Sequence, residues 1–505
     1  MMLSAILAAG IAVAVDFREP EIIPVPREMT YEANVAVRIE PSTALVVECP
    51  DEAAKKWVSD HCEFWFGVRP AVSQKLETTL TGISGVEGYS LAASPGRIVI
   101  GANALKGVKY AMHTLRQAAE RESRGVTLAG YWLPALKIKD APALGFRGVH
   151  LCWFPECSTQ LIEHQIRLAA YYKFNYAVIE NWGVFRSVRY PELAVPNARL
   201  DALEARRLTE IANDLGLTLI PQVNIYGHAS LLRAMGGKHA TLDYHREYQP
   251  IFEPAGGWNW CLSNPEATKV VKDLVVEMHE AFGNPPFFHI GCDEADPPTC
   301  PTCRAVKPYA KLVEAHITAV ADLLRQRGAR AMMWHDMLLE KAGGKWKPFY
   351  ANGSADEAKM LETLPKDIVI CDWYYGSDGG GHDPTGGKVE IGAYPTLDYF
   401  TSKGFDTLTC PWRVAKGIEA QARYAKEKHL FGVLETVWHH YRGTEFAMMM
   451  ETSACGAWGK ERIPRVRRGS PFATHWRQCG WDMGITEYSE TGFYDRQVTR
   501  DSLDR

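Results

Sequence analysis

No apolar run in this 505-residue chain reaches the ~20 residues that a membrane-spanning helix requires. The longest, Leu3 to Val15, stops well short, so no membrane span is expected. The chain also lacks a basic excess, since 56 Lys and Arg stand against 60 Asp and Glu for a net charge of −4. A polyanionic phosphate backbone calls for the opposite balance, which excludes nucleic acid from the expected partners. No Gly-x-Gly-x-x-Gly turn follows an apolar run, and dinucleotide binding loses its main support. Internal repeats and low-complexity tracts are missing too. The twelve cysteines are scattered, and a chain this long needs no disulfide staples.

The N-terminal apolar run lacks a basic flank, the first basic side chain being Arg18, but it ends in the small-x-small pattern Ala12-Val13-Ala14. Residues 1–15 are therefore expected to be a signal peptide, and the protein to be exported to the periplasm or beyond, the alternative being a buried first strand or a misassigned start in a cytoplasmic protein.

What is present is a composition made for large cores: 46% hydrophobic, 23% charged, with 15 Trp. Residues 16–140 read as a small α/β domain. Asp51 to Phe66 carries Trp57, Cys62 and Phe66 at helical spacing, and Asn103 is placed to cap a second helix bearing Leu105, Val108, Met112 and Leu115. Tyr89 to Ile100 has the alternation of a hairpin around Ser94-Pro95-Gly96. The segment Lys139-Asp140-Ala141-Pro142 then breaks the rhythm, and the boundary is set there.

From 141 to 505 the chain reads as a (β/α)8 barrel with a C-terminal extension. Eight strand-length apolar runs alternate with amphipathic helices: Leu144 to Leu151, Phe174 to Ile179, Leu217 to Asn224, Phe287 to Gly291, Ala329 to Trp334, Ile368 to Trp373, Thr407 to Cys410 and Gly432 to Trp438. In such a barrel the chemistry lies where strands end. Those ends are polar and aromatic here, with Glu180 and Trp182, His228, Asp293 and Glu294, Trp334, Trp373 and Tyr375, Trp412, Trp438 and His440. Aromatic faces around fixed polar groups suit a sugar, whose ring presents apolar faces and hydroxyl edges.

The strongest local signal is the strand Phe287-Phe288-His289-Ile290-Gly291-Cys292 ending in Asp293-Glu294. Two adjacent carboxylates in a dry pocket repel, so one of them is expected to keep its proton to higher pH, as a general acid for a glycosidic oxygen would. Neighbours on one strand end cannot easily stand on opposite faces of a sugar, which two-carboxylate glycosidases require. Substrate-assisted hydrolysis removes that demand, because the substrate's own 2-acetamido oxygen is the nucleophile and the second acid only holds the amide N–H.

These residues resemble glycoside hydrolase family 20, the β-N-acetylhexosaminidases, whose fourth strand ends in His-x-Gly-x-Asp-Glu, matched by His289, Gly291, Asp293 and Glu294. The likeness runs from Arg147-Gly148 through Lys173-Phe174-Asn175, Pro221 to His228, Trp334 to Leu338 and Pro411-Trp412 to Trp438. Residues 20–140, with Glu87-Gly88-Tyr89 and Leu133-Pro134-Ala135, are similar to the small domain that precedes the family's barrel. The resemblance implies Glu294 as general acid/base, Asp293 as partner of the acetamido group, and His228, Trp334, Trp373, Trp412 and Trp438 as pocket lining, with no cofactor and a retaining exo-acting reaction on terminal N-acetylhexosamines of a carbohydrate. It leaves Tyr375 or Tyr374 for the acetamido pocket. Three sugar-gripping or supporting positions of the family are replaced, by Pro155, Gly183 and His440, with Glu180 and Trp182 as compensating contacts. GlcNAc, GalNAc and a substituted hexosamine, as well as an inert glycan-binding barrel, all stay open.

Cys300-Pro301-Thr302-Cys303 has the spacing of half a zinc site. Cys152, Cys157, Cys261 and Cys292 also fall near strand ends on the same face, but a second pair at metal-ligand spacing is missing, so free thiols are expected and no metal ligand is assigned, with a structural metal or a disulfide left open.

Overall fold

The computed structural model describes residues 17–76, 82, 84–121, 130–230, 238, 241–375, 393–440, 443–460 and 471–485. The expected leader lies outside these residues. The chain forms two compact units, one running to Pro142 and including Trp458–Lys460, the other comprising Ala143–Ala457 and the C-terminal residues.

The first unit is a seven-stranded sheet built from β1 (Glu28–Ile39), β2 (Ala44–Glu48), β3 (Ala71–Lys75), β4 (Tyr89–Ser94), β5 (Arg97–Ala102), β6 (Glu120–Arg121) and β7 (Tyr131–Asp140). Its order is β1-β7-β4-β5-β2-β3, with β6 on β7. β4 and β5 are the expected hairpin, and Gly96 takes the positive φ of 73° that the turn demands. Helix Ala53–Phe66 buries Trp57, Cys62 and Phe66, as its spacing requires. The cap of helix Leu105–Ala118 differs from expectation: its N-cap is Ala104, and the Asn103 amide donates instead to the Gly85 carbonyl at 3.2 Å.

The second unit is a closed parallel barrel of β8 (Phe146–Trp153), β9 (Tyr176–Asn181), β10 (Thr218–Gln222), β11 (Phe287–His289), β12 (Arg330–Trp334), β13 (Val369–Asp372), β14 (Asp406–Thr409) and β15 (Gly432–Thr436). Each of the eight apolar runs supplies one strand. β15 closes onto β8, from Gly432 beside Phe146 to Thr436 beside His150. Phe146, Val178, Ile220, Phe287, Met332, Val369, Leu408 and Leu434, one from each strand, fill the interior, so the barrel is a packed core and the free space lies beyond the strands' C-terminal ends. Helix Pro265–Ala281 starts as its sequence dictates, with Asn264 accepting the Glu266 N–H at 3.0 Å and Pro265 at the first helical position. Among the described residues no helix is long and apolar enough to cross a membrane.

Candidate active site

Past β11 the backbone turns through left-handed conformations at Gly291 (φ 64°), Cys292 (75°) and Glu294 (49°). Such angles at residues other than glycine cost on the order of 1–3 kcal/mol each and persist only where surrounding contacts enforce them. Gly291 is needed because a Cβ there would stand 2.3 Å from the Asn224 side chain. The contorted turn separates the neighbouring acids. Asp293 points inward and is buried, while half of the Glu294 side chain is exposed.

Asp293 Oδ1 accepts the Asn224 amide at 2.6 Å. Its Oδ2 lies 3.4 Å from both Lys238 Nζ and His228 Nε2. Lys238 is itself buried and reaches Glu180 Oε1 at 2.7 Å. Burial alone would raise the Asp293 pKa, but the Lys238 ammonium, helped by His228, outweighs it and holds the carboxyl below its ordinary value. The expected repulsion within the Asp293–Glu294 pair therefore does not leave Asp293 protonated, because a buried lysine that the motif does not contain supplies the compensating charge.

Glu180, expected to meet the sugar, is instead fully buried with both oxygens occupied. Gln222 Nε2 (2.6 Å) and Lys238 share Oε1; Trp182 Nε1 (2.7 Å) and Cys152 Sγ (3.1 Å) donate to Oε2. Burial raises and Lys238 more than offsets, leaving Glu180 well below its ordinary range. Its place is beneath the site, anchoring Lys238, and the Trp182 ring lies 5.3 Å from that ammonium.

His228, in a left-handed conformation (φ 53°), spans the two acids, with Nε2 3.1 Å from Glu294 Oε2. Trp258 packs on the His228 ring at 4.3 Å and donates its indole N–H to the Glu294 carbonyl at 2.7 Å. Trp258 and Glu294 line a cavity of about 550 Å³ together with Glu253–Asn259, Asp296, Pro297 and Thr299. Asp336, in the turn after β12, accepts the Glu294 N–H at 2.8 Å and the Asn352 amide at 3.0 Å on Oδ2, and Trp373 Nε1 at 3.3 Å on Oδ1. Burial, and then the charge of Asp293, push Asp336 up to about 6. Among the carboxyls that contact the Asp293–Glu294 turn, the one with the raised pKa is thus Asp336, outside the adjacent pair.

Two family models match the chain: glycosyl hydrolase family 20, domain 2, over residues 19–141, and the family 20 catalytic domain over residues 199–444. The chain belongs to glycosyl hydrolase family 20. A β-hexosaminidase of Porphyromonas gingivalis is 25% identical over 353 residues, covering 62% of this chain and 44% of that protein. The chain spans less than half the length of the curated relatives it matches. Among solved structures, an exo β-N-acetylglucosaminidase from Vibrio harveyi in complex with N-acetylglucosamine superposes with a TM-score of 0.64 at 16% identity, over 95% of this chain and 80% of that one. A β-N-acetylhexosaminidase from Bacteroides fragilis gives 0.63 at 18% identity, over 93% and 97%. At these identities the likeness establishes the fold.

In this family 20 member the expected aromatic residues converge. Trp438 donates to the Tyr375 hydroxyl at 2.8 Å, and Tyr375 packs against Trp412 at 5.1 Å and Trp373 at 5.6 Å. Trp334 forms the floor, fully buried between His289 (4.4 Å) and Trp438 (5.5 Å). The indole N–H groups of Trp334 and Trp412 are buried and have no acceptor among the described residues. Between the two tyrosines the structure places Tyr375 in this cage, whereas Tyr374 packs with Leu144, Tyr394 and Leu397 in a separate core cluster. His440 lies behind Trp412, and its Nδ1 is 2.6 Å from Glu445. It is outside the Lys238 network. Pro155 and Gly183 stand where the family pattern carries polar side chains, and neither has a side chain able to hold a hydroxyl.

Sequence reasoning did not reach Lys238, Gln222 or Trp258, and it gave no role to Asn224 or Asp336. Asn224 and Asp336 lie in polar strand-end segments that the strand-end rule selects, but nothing local to them says what they contact. Lys238 lies ten residues past His228 in a stretch with no periodicity, where no local signal marks it.

Proposed function

We propose that this chain is an exo-acting, retaining β-N-acetylhexosaminidase that removes terminal N-acetylhexosamines by substrate-assisted catalysis. The observation that carries the reading is the division of labour between adjacent acids: Asp293 buried and held ionised by Lys238, Glu294 half exposed between His228 and the cavity. In the first step Glu294 gives its proton to the glycosidic oxygen as the C1–O bond breaks, and the 2-acetamido oxygen closes on C1 to form an oxazolinium. The Asp293 carboxylate accepts the amide N–H and stabilises the developing positive charge. In the second step Glu294 takes a proton from water, which attacks C1 and reopens the ring, so configuration is retained. The cage of Trp373, Tyr375, Trp412 and Trp438 would enclose the departing sugar, and the cavity beside Trp258, which none of these aromatics lines, would take the leaving group.

Hydrolysis of aryl β-GlcNAc and β-GalNAc tests the reading. Cleavage with retained anomeric configuration, and tighter binding of a thiazoline mimic of the oxazolinium to the wild type than to Asp293→Asn, would support it. No cleavage of these or of a panel of natural hexosamine glycans would leave a glycan-binding barrel in its place.

A further inference from the structure

The third and fourth barrel loops meet at a cluster of soft ligands away from the sugar cage. We propose that Cys261, Cys300, Cys303 and Glu253 bind one zinc ion, a structural site that ties together the two loops flanking Glu294. Cys261 and Glu253 lie on the connection after β10, Cys300 and Cys303 on the connection after β11. One ligand atom from each of the four lies within 4.8 Å of all the others.

One edge of the cluster has the length of a tetrahedral zinc site's. Zinc–sulfur bonds of about 2.3 Å set the edge between two thiolates at about 3.8 Å. Cys261 Sγ and Cys303 Sγ are 3.8 Å apart, far beyond the ~2.05 Å of a disulfide. The Cys303 thiol donates to Ser263 Oγ at 3.1 Å, and that oxygen also lies 3.6 Å from Cys261 Sγ and 3.9 Å from Cys300 Sγ. The carboxylate is pre-oriented, since Glu253 Oε2 accepts the N–H groups of Thr299 at 2.8 Å and Cys300 at 2.5 Å. Glu253 Oε1 is buried without a hydrogen-bond partner among the described residues. A buried carboxylate oxygen left unmatched beside three thiols is costly unless a cation joins it. Three thiolates and a carboxylate favour zinc over harder cations. Binding exchanges the three thiol protons, released to solvent, for the ion, with no change of oxidation state. A second ligand-like trio, His150, Cys152 and Glu180, carries no such proposal because the Lys238 ammonium already stands 2.7 Å from Glu180.

The ion would hold walls of the cavity beside Glu294: Glu253 begins the stretch that ends at Asn259, and Cys300 follows Thr299, the last residue of the opposite wall. The test uses the full chain, purified without chelator and dialysed against zinc. The expected result is one zinc per chain, a thiolate-to-metal charge-transfer band on cobalt substitution, and twelve titratable thiols after denaturation in chelator. Cys303→Ser should lower zinc content at least tenfold, while Cys62→Ser leaves it unchanged; should Cys303→Ser fail to fold, the cobalt band of the wild type decides. Protein with no bound metal after dialysis, or with two of these thiols oxidised to a disulfide, would overturn the proposal.

Discussion

Lys238 Nζ lies 3.4 Å from Asp293 Oδ2 with both groups buried, so the charge of Asp293 is set by a residue 55 positions away in sequence. A carboxyl whose folded pKa is lowered contributes stability above its unfolded pKa, and that contribution is lost as pH falls. Lys238→Met removes the opposing charge and leaves Asp293 and Glu180 buried without their cation. The expected cost is about 3–5 kcal/mol, the usual penalty for breaking a buried pair. The acid limb of the kcat/KM profile should move to higher pH as Asp293 becomes harder to ionise. Adding Glu180→Gln should recover part of the stability by removing one stranded charge. An unchanged pH profile in folded Lys238→Met would detach Lys238 from Asp293.

Glu294→Gln should lower kcat at least ~10²-fold on substrates whose leaving group needs protonation, and much less on activated aryl glycosides, because only the former depend on a general acid. Equal losses across aglycones would assign Glu294 a structural role.

Asp336 carries the raised pKa of the site, about 6. The folded state therefore binds a proton that the unfolded chain has already released, and the group's effect on stability becomes unfavourable as pH rises from about 4 to about 6. Wild-type protein should lose stability across that window relative to Asp336→Asn, with the difference constant above it. Parallel stability curves for the two proteins, followed by chemical denaturation from pH 4 to 7, would contradict this.

Specificity at the sugar's 4-position should be loose. Pro155 and Gly183 offer no hydroxyl clamp, and His440 presents an imidazole tied to Glu445 where a carboxylate is expected. Sites that grip hydroxyls through oriented hydrogen bonds discriminate far better than apolar walls do. The kcat/KM for β-GalNAc is expected within about tenfold of that for β-GlcNAc or above it, a gap of no more than ~1.4 kcal/mol in favour of GlcNAc. A hundredfold preference for GlcNAc would mean that another side chain restores the clamp. Because Glu180 is saturated by Lys238, Gln222 and Trp182, its replacement by Ala should impair both substrates alike through Lys238.

The barrel and the acids were legible because they are local. Strand-length apolar runs alternating with amphipathic helices determine a parallel barrel, since period and length decide how each segment can be buried. Asp293-Glu294 at the end of one run, and tryptophans at the ends of others, follow from the same rule that strand ends carry the site. The charge logic was not local. Repulsion between neighbours in sequence was the natural expectation for Asp293 and Glu294, but left-handed backbone at Cys292 and Glu294 turns the two acids apart, and Lys238 arrives from another loop and Glu180 from β9. The same holds for Tyr375 over Tyr374, where adjacent residues face opposite sides of a strand end and only the register of β13 selects which enters the cage. The pair Cys300 and Cys303 reads as half a site until Cys261 and Glu253 are brought beside it. Periodicity and motif thus determined which segments form the barrel and which ends carry chemistry. The protonation of the acids, the anchoring of Glu180 and the completeness of the thiol cluster were decided by tertiary structure, because electrostatic and coordination energies depend on distances that sequence separation does not contain.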